Sequence, residues 1–231
     1  DVSNVTDMSE MFAGCHAFED FSQISDWDVS NVCNTSGMFR QCTHMHDLSF
    51  LKNWDVSKVT DMSEMFMDAS GLQDLTGIES WDVSNVSNME KMFHGSNTDV
   101  AMTIIFGLRS SLHDITALAD WDVSKVSNMR RMFEGCEELK CLSGLESWDT
   151  SHVTDMRGMF RKCFALEDLT ALGNWKLSRV NEMSEMFKDC KSLESLKGLE
   201  SWNIPNVQDL NGFFENCVKL EDLTALKDWD V

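Results

Sequence analysis

Trp148 to Leu172 runs W-D-T-S-H-V-T-D-M-R-G-M-F-R-K-C-F-A-L-E-D-L-T-A-L. Its apolar positions are Val153, Met156, Met159, Phe160, Cys163, Leu166, Leu169 and Leu172. From Val153 to Cys163 their spacing makes one stripe on a short helix. Ser151, Thr154 and Asp155 stand where side-chain oxygens can accept bonds from the free N–H groups of a helix start. Leu166-x-x-Leu169-x-x-Leu172 is too short for a stable helix and reads as a short strand with its flanking turns. Neither piece can bury its apolar side alone.

The same pattern recurs along the 231 residues. Trp27, Trp54, Trp81, Trp121, Trp148, Trp175, Trp202 and Trp229 follow one another at intervals of 27, except for one interval of 40 between Trp81 and Trp121. A fixed period of this size means a stacked array. Met-Phe pairs recur at Met38-Phe39, Met65-Phe66, Met92-Phe93, Met132-Phe133, Met159-Phe160 and Met186-Phe187, so most of the Met and Phe content is committed to repeating core positions. The expectation is an α/β repeat fold: a leucine-rich-repeat-like solenoid of eight turns, with short parallel strands on one face and short helices on the other. Strands spaced about 4.8 Å apart would give a rod on the order of 40 Å long. Residues 1–231 read as a single solenoid domain. Asp1-Val2-Ser3 is in phase with Asp28-Val29-Ser30 and the sequence stops at Trp229-Asp230-Val231, which reads as a segment of a longer protein.

Charged residues at 25% and apolar residues at 42% fit a folded, soluble chain. No apolar run approaches the roughly 18 to 20 residues of a membrane span. The net charge of −20 argues against nucleic acid and anionic lipid as partners. No nucleotide loop, nucleophile elbow or metal-ligand spacing is present, so neither an enzyme activity nor a cofactor is expected.

The phrase Trp81-Asp82-Val83-Ser84-Asn85-Val86-Ser87-Asn88-Met89, followed by Met92-Phe93, is distinctive, as is Trp54 to Met62 followed by Met65-Phe66. These stretches resemble the BspA-like leucine-rich-repeat surface proteins and their DUF285 repeat. The resemblance covers nearly the whole chain outside the insertion. It implies a solenoid displayed at a cell surface, in proteins associated with adhesion, and carries no catalytic residues with it. The function expected is therefore a non-catalytic module presenting an extended acidic face to a protein or glycan ligand, for which basic character is the complement. The alternative is a spacer or stalk that holds another domain.

Several residues are candidates for contact. Asp20, Asp47, Asp74, Asp114, Asp168 and Asp222 share one column, flanked by Glu19, Glu167, Glu194 and Glu221. Facing outward they would make a negative stripe, either a solvated edge or a docking surface. The insertion at about 97–109 carries Ile104, Ile105 and Phe106, an apolar run that is either an exposed contact or a small satellite core. Gln23, Phe50, Gly77, Ala117 and Gly144 differ within one column, as a recognition face would. Asp28, Asp55, Asp82, Asp122 and Asp149 precede Ser by two and suit side-chain-capped turns, with a calcium column as the competing reading. Six cysteines lie three after the repeating Phe, where Ala69 and Ser96 substitute for them. That favours a small buried site over vertical disulfides or metal.

Overall fold

The computed structural model describes residues 1–95 and 109–229. The chain winds into eight stacked turns, one per tryptophan. Each indole N–H from Trp54 onward donates to a backbone carbonyl of the turn before it, as in Trp54 Nε1 to Ile24 O (3.1 Å) and Trp175 Nε1 to Leu145 O (3.0 Å). The Phe side chains stack in one continuous column. Phe39–Phe66, Phe66–Phe93, Phe133–Phe160 and Phe160–Phe187 have ring centroids 5.7–5.8 Å apart and planes within 9°. Phe93 and Phe133 are stacked at 5.7 Å as well, so the 40-residue interval leaves the register intact. The repeat solenoid is therefore real.

Its local structure differs from the expectation. Among the described residues the named elements are short 3-10 turns, and the segment expected to be helical is not α-helix. The cause lies in the backbone. Glu10, Glu64, Lys91, Arg131 and Glu185 have φ of +53° to +59°, and Gly37, Gly158 and Gly212 occupy the same place in their turns. Four residues further on, Gln41, Asp68, Lys162, Asp189 and Asn216 are left-handed too. An α-helix needs φ near −63° throughout, so two left-handed residues per turn forbid it.

A non-glycine residue in this region costs about 1–2 kcal/mol. The neighbouring turn holds it there. Glu64 N donates to Glu90 O and Asp68 N to His94 O, both at 2.8 Å, while Met62 and Phe66 donate in the same direction. Every second N–H thus points along the solenoid axis. Parallel bridges join Asp7, Asn34, Asp61, Asn88, Asn128, Asp155, Glu182 and Asp209 in one line. The parallel ladder lies where a helix was expected.

The expected strand is a chain of three-residue corners. Leu166 N donates to Cys163 O, Leu172 N to Leu169 O and Trp175 N to Leu172 O, at 2.9–3.1 Å. A corner that closes every third residue turns every third side chain inward, and Leu166, Leu169 and Leu172 are all fully buried. Among the described residues Thr170–Leu172 is one of five such 3-10 turns, with Ser22–Ile24, Ser49–Leu51, Thr116–Leu118 and Thr224–Leu226.

The remaining turns carry glycine at this corner: Gly77, Gly144 and Gly198, all with φ beyond +100°. A Cβ on Gly144 would meet Ile115 O at 2.7 Å. Glycine is needed there because the backbone closes against the preceding 3-10 turn. This corrects the recognition face. Phe50, Gly77 and Gly144 are buried and Ala117 is half-buried, so of that column only Gln23 stands exposed.

Candidate functional site

Asp20, Asp47, Asp74, Asp114, Asp168 and Asp222 stand exposed on one line of corners, with Cys141 and Ser195 occupying the same column in their turns. The repeat places them by a local bond. Each carboxylate accepts the backbone N–H two residues on: Ser22, Ser49, Thr76, Thr116, Thr170 and Thr224, at 2.7–2.9 Å. This is an Asx-type turn, and it opens the corner that follows. The backbone N–H of Ser22, with its hydroxyl, holds the Asp20 carboxyl below the ordinary aspartate value, and Thr116 and Thr224 do the same for Asp114 and Asp222. Oδ1 is thereby committed to the fold, and at Asp47 the Ser49 hydroxyl also donates to Oδ2 at 2.7 Å.

Most of the ion pairs lie elsewhere. Arg40 bridges Glu10 and Glu64 at 3.1 Å each, and Lys91 reaches Glu64 at 3.0 Å. Arg161 binds Glu134 at 2.9 Å, and Lys188 joins Glu185 and Glu215 at 3.1 and 2.8 Å. This ion ladder flanks the Phe column and pairs Arg and Lys with Glu across neighbouring turns. It absorbs positive charge away from the aspartate line, where Lys219 compensates Glu194 at 2.9 Å. Beside the line opens a groove of about 580 Å³ lined by His113, Glu137, Glu138, Lys140, Cys141 and Ala165.

The aspartates after Trp make the expected capped turns. Ser30, Ser57, Ser84, Ser124 and Ser151 donate their N–H groups to Asp28, Asp55, Asp82, Asp122 and Asp149 at 3.0–3.2 Å. The serine hydroxyl is the largest cause holding Asp28, Asp55, Asp122 and Asp149 below the usual carboxylate range. Among the described residues no group of three His, Cys, Asp or Glu is placed to hold a metal ion. His44 bonds back to His16 O (2.6 Å) and His46 forward to Gly71 O (3.0 Å).

The cysteines are free thiols. Cys42, Cys136, Cys163, Cys190 and Cys217 donate S–H to the Phe carbonyl of the preceding turn at 3.1–3.3 Å. Burial pushes Cys42 and Cys136 up to about 12 and Cys217 to about 11. Cys33 and Cys141, off that column, are exposed. Ile104, Ile105 and Phe106 lie outside the described residues.

A buried polar cluster was missed. His94, 3% exposed, has Nδ1 at 3.6 Å from Asp68 Oδ1 and Nε2 at 3.7 Å from Glu134 Oε2. Glu134 is held in turn by Arg161 and Arg131. The signal was present in the residue after the repeating Phe, which runs Arg40, Met67, His94, Glu134, Arg161, Lys188, Glu215: a charge-bearing column beside an apolar one.

A family profile described as "Mycoplasma protein of unknown function, DUF285" matches residues 1–103, 46–141 and 100–229. No curated protein matches the chain. Among solved structures, a leucine-rich repeat protein from Bacteroides ovatus is 14% identical over 94% of this chain and 58% of its own length, with a TM-score of 0.38. A leucine rich cell surface protein from Faecalibacterium prausnitzii is 18% identical over 65% of this chain and 41% of its own, with a TM-score of 0.30. This chain thus spans less than two thirds of either. No helix among the described residues is long and apolar enough to cross a membrane.

Proposed function

The chain belongs to the DUF285 family, and from that premise we propose that it is a non-catalytic binding module of a cell-surface protein, offering its aspartate line to a protein or glycan partner with basic character. The surface placement follows from the resemblance of the repeat to BspA-like surface proteins. One observation carries the contact: the line from Asp20 to Asp222 is exposed and its six aspartates make no salt bridge among the described residues, while Arg40, Arg161 and Lys188 pair with glutamates beside the Phe column. A surface of one sign, fixed on a stiff frame, steers partners of the opposite sign and loses that steering as salt screens it. The groove beside Lys140 and Cys141 adds apolar area next to the charge.

Asparagine tests this cleanly, because it keeps the turn-forming oxygen and removes the charge. Asp47→Asn, Asp74→Asn, Asp114→Asn and Asp168→Asn together should leave the melting temperature within a few degrees. Binding to basic peptides or to amino-bearing glycans on an array should fall at least tenfold, with a flatter salt dependence. Equal binding by the parent chain and this variant would remove the line from the contact surface.

The second reading is a spacer, and the unbroken Phe stack favours it, since a continuous column resists bending. A spacer would tolerate the four asparagines and respond to the number of turns.

A further inference from the structure

We propose that the corners of this solenoid form a registration device, which lets its turns stack only in a fixed order. Two kinds of corner recur. The turns ending at Trp54, Trp121, Trp175 and Trp229 carry the 3-10 corners Ser49–Leu51, Thr116–Leu118, Thr170–Leu172 and Thr224–Leu226. The turns ending at Trp81, Trp148 and Trp202 carry Gly77, Gly144 and Gly198 instead. From Trp54 onward the two kinds alternate. The first two turns, with Ser22–Ile24 and Ser49–Leu51, set one 3-10 corner on another. Among the described residues no glycine corner stacks upon another glycine corner.

The stacking contact gives the reason. A Cβ on Gly77 would stand 2.5 Å from Leu48 O and one on Gly144 2.7 Å from Ile115 O, and at Gly198 it would meet Leu169 O. Leu48, Ile115 and Leu169 open the 3-10 corners of the preceding turns. Each glycine backbone thus closes directly on a 3-10 corner, with φ of +106° to +116°. Its N–H donates to a glutamate two residues on, Glu79, Glu146 or Glu200, at 2.7–2.8 Å. The 3-10 corners have Ser25, Lys52, Ala119, Gly173 and Lys227 in that place. A glycine corner set upon another would lose the backbone it closes against.

A second column, outside the corners, divides the turns in the same way. Lys58, Lys125 and Arg179 stand in the glycine turns, and Asn31, Asn85, His152 and Asn206 take that place in the 3-10 turns. Lys58 Nζ donates to Asn31 Oδ1 at 2.6 Å and Lys125 Nζ to Asn85 Oδ1 at 2.7 Å, each reaching the turn before. Stacking one glycine turn on another would set Lys125 against Arg179, like charges in place of such a bond. Near-identical turns invite mispairing, a characteristic failure of repeat proteins. A slip of one turn breaks both columns, whereas a slip of two restores them. The unit of stacking is therefore a pair of turns.

In-phase deletions of equal length test this. Removing residues 149–175 takes out a 3-10 turn and sets the Gly198 corner on the Gly144 corner. Removing residues 176–202 takes out a glycine turn and sets one 3-10 corner on another, as the first two turns already do. In thermal melts followed by circular dichroism, the first deletion should melt at least about 5 °C below the second. Removing residues 149–202 returns a 3-10 corner to a glycine corner, so this still shorter chain should also melt above the first deletion. A rescue chain keeps the first deletion but has residues 195–201 replaced by the sequence of residues 168–174. Its melting temperature should return to within a few degrees of the second deletion, which also decides the case in which the first deletion does not fold. Equal melting of the two single-turn deletions, or the reverse order, would overturn the proposal. So would a rescue chain no more stable than the deletion it repairs.

Discussion

A thiol that donates to a carbonyl one turn below is held differently from one that fills a gap. Cys163 and Cys190 donate to Phe133 O and Phe160 O at 3.2 Å, and burial raises both thiols well above 9.0. A protonated, buried thiol is a poor nucleophile. Native chain treated with a thiol reagent at neutral pH should therefore label at Cys33 and Cys141, with Cys42, Cys136, Cys163 and Cys190 reacting only after denaturation. Rapid native labelling of the column would contradict the packing. The aspartates answer to pH in the acid range. The folded values of Asp20, Asp114 and Asp222 lie below the ordinary 3.8, so the stability these three contribute is full above that value and declines as pH falls through the lower folded values. Melting temperature should drop as pH falls below about 4, and Asp114→Asn should make that drop shallower.

At the level of the turn, periodicity revealed what is buried but not how the backbone travels. Val153, Met156, Met159, Phe160 and Cys163 are all buried, as the stripe requires. Spacings of three and four suit a 3.6-residue helix, yet they equally suit corners that close every third residue, and Leu166, Leu169 and Leu172 already showed the pure three-residue form. The deciding information is the sign of φ at Glu64, Arg131 and Glu185. Glutamate and arginine do not announce a left-handed backbone, whereas glycine at Gly37, Gly158 and Gly212 in the same column was a legible hint. The Asx corners from Asp20 to Asp222 were readable as a column, but their turn-forming role was assigned only to the aspartates after Trp. Gly144→Ala would drive a Cβ to 2.7 Å from Ile115 O and force an unfavourable φ of +107°. Its cost should exceed about 1 kcal/mol by chemical denaturation, whereas Gly14→Ala, with open space around it, should cost less.

For the whole molecule, stability is the sum of turn and junction contributions. Phe160→Ala opens two stacking contacts, to Phe133 and Phe187, in a fully buried column and should cost about 3–5 kcal/mol. Removing residues 1–27 takes away one junction only, so the shortened chain should still fold, with a lower melting temperature by circular dichroism. The aligned indoles have an optical consequence as well. Trp81–Trp121, Trp148–Trp175 and Trp202–Trp229 lie 5.9–6.4 Å apart with planes within 13°. Light absorbed by one ring can hop along such a file before it is emitted, so the polarisation of the emitted light should be lost faster than the rod tumbles. Replacing alternate tryptophans with phenylalanine would break the file and restore that polarisation, giving a spectroscopic ruler for how many turns remain in register.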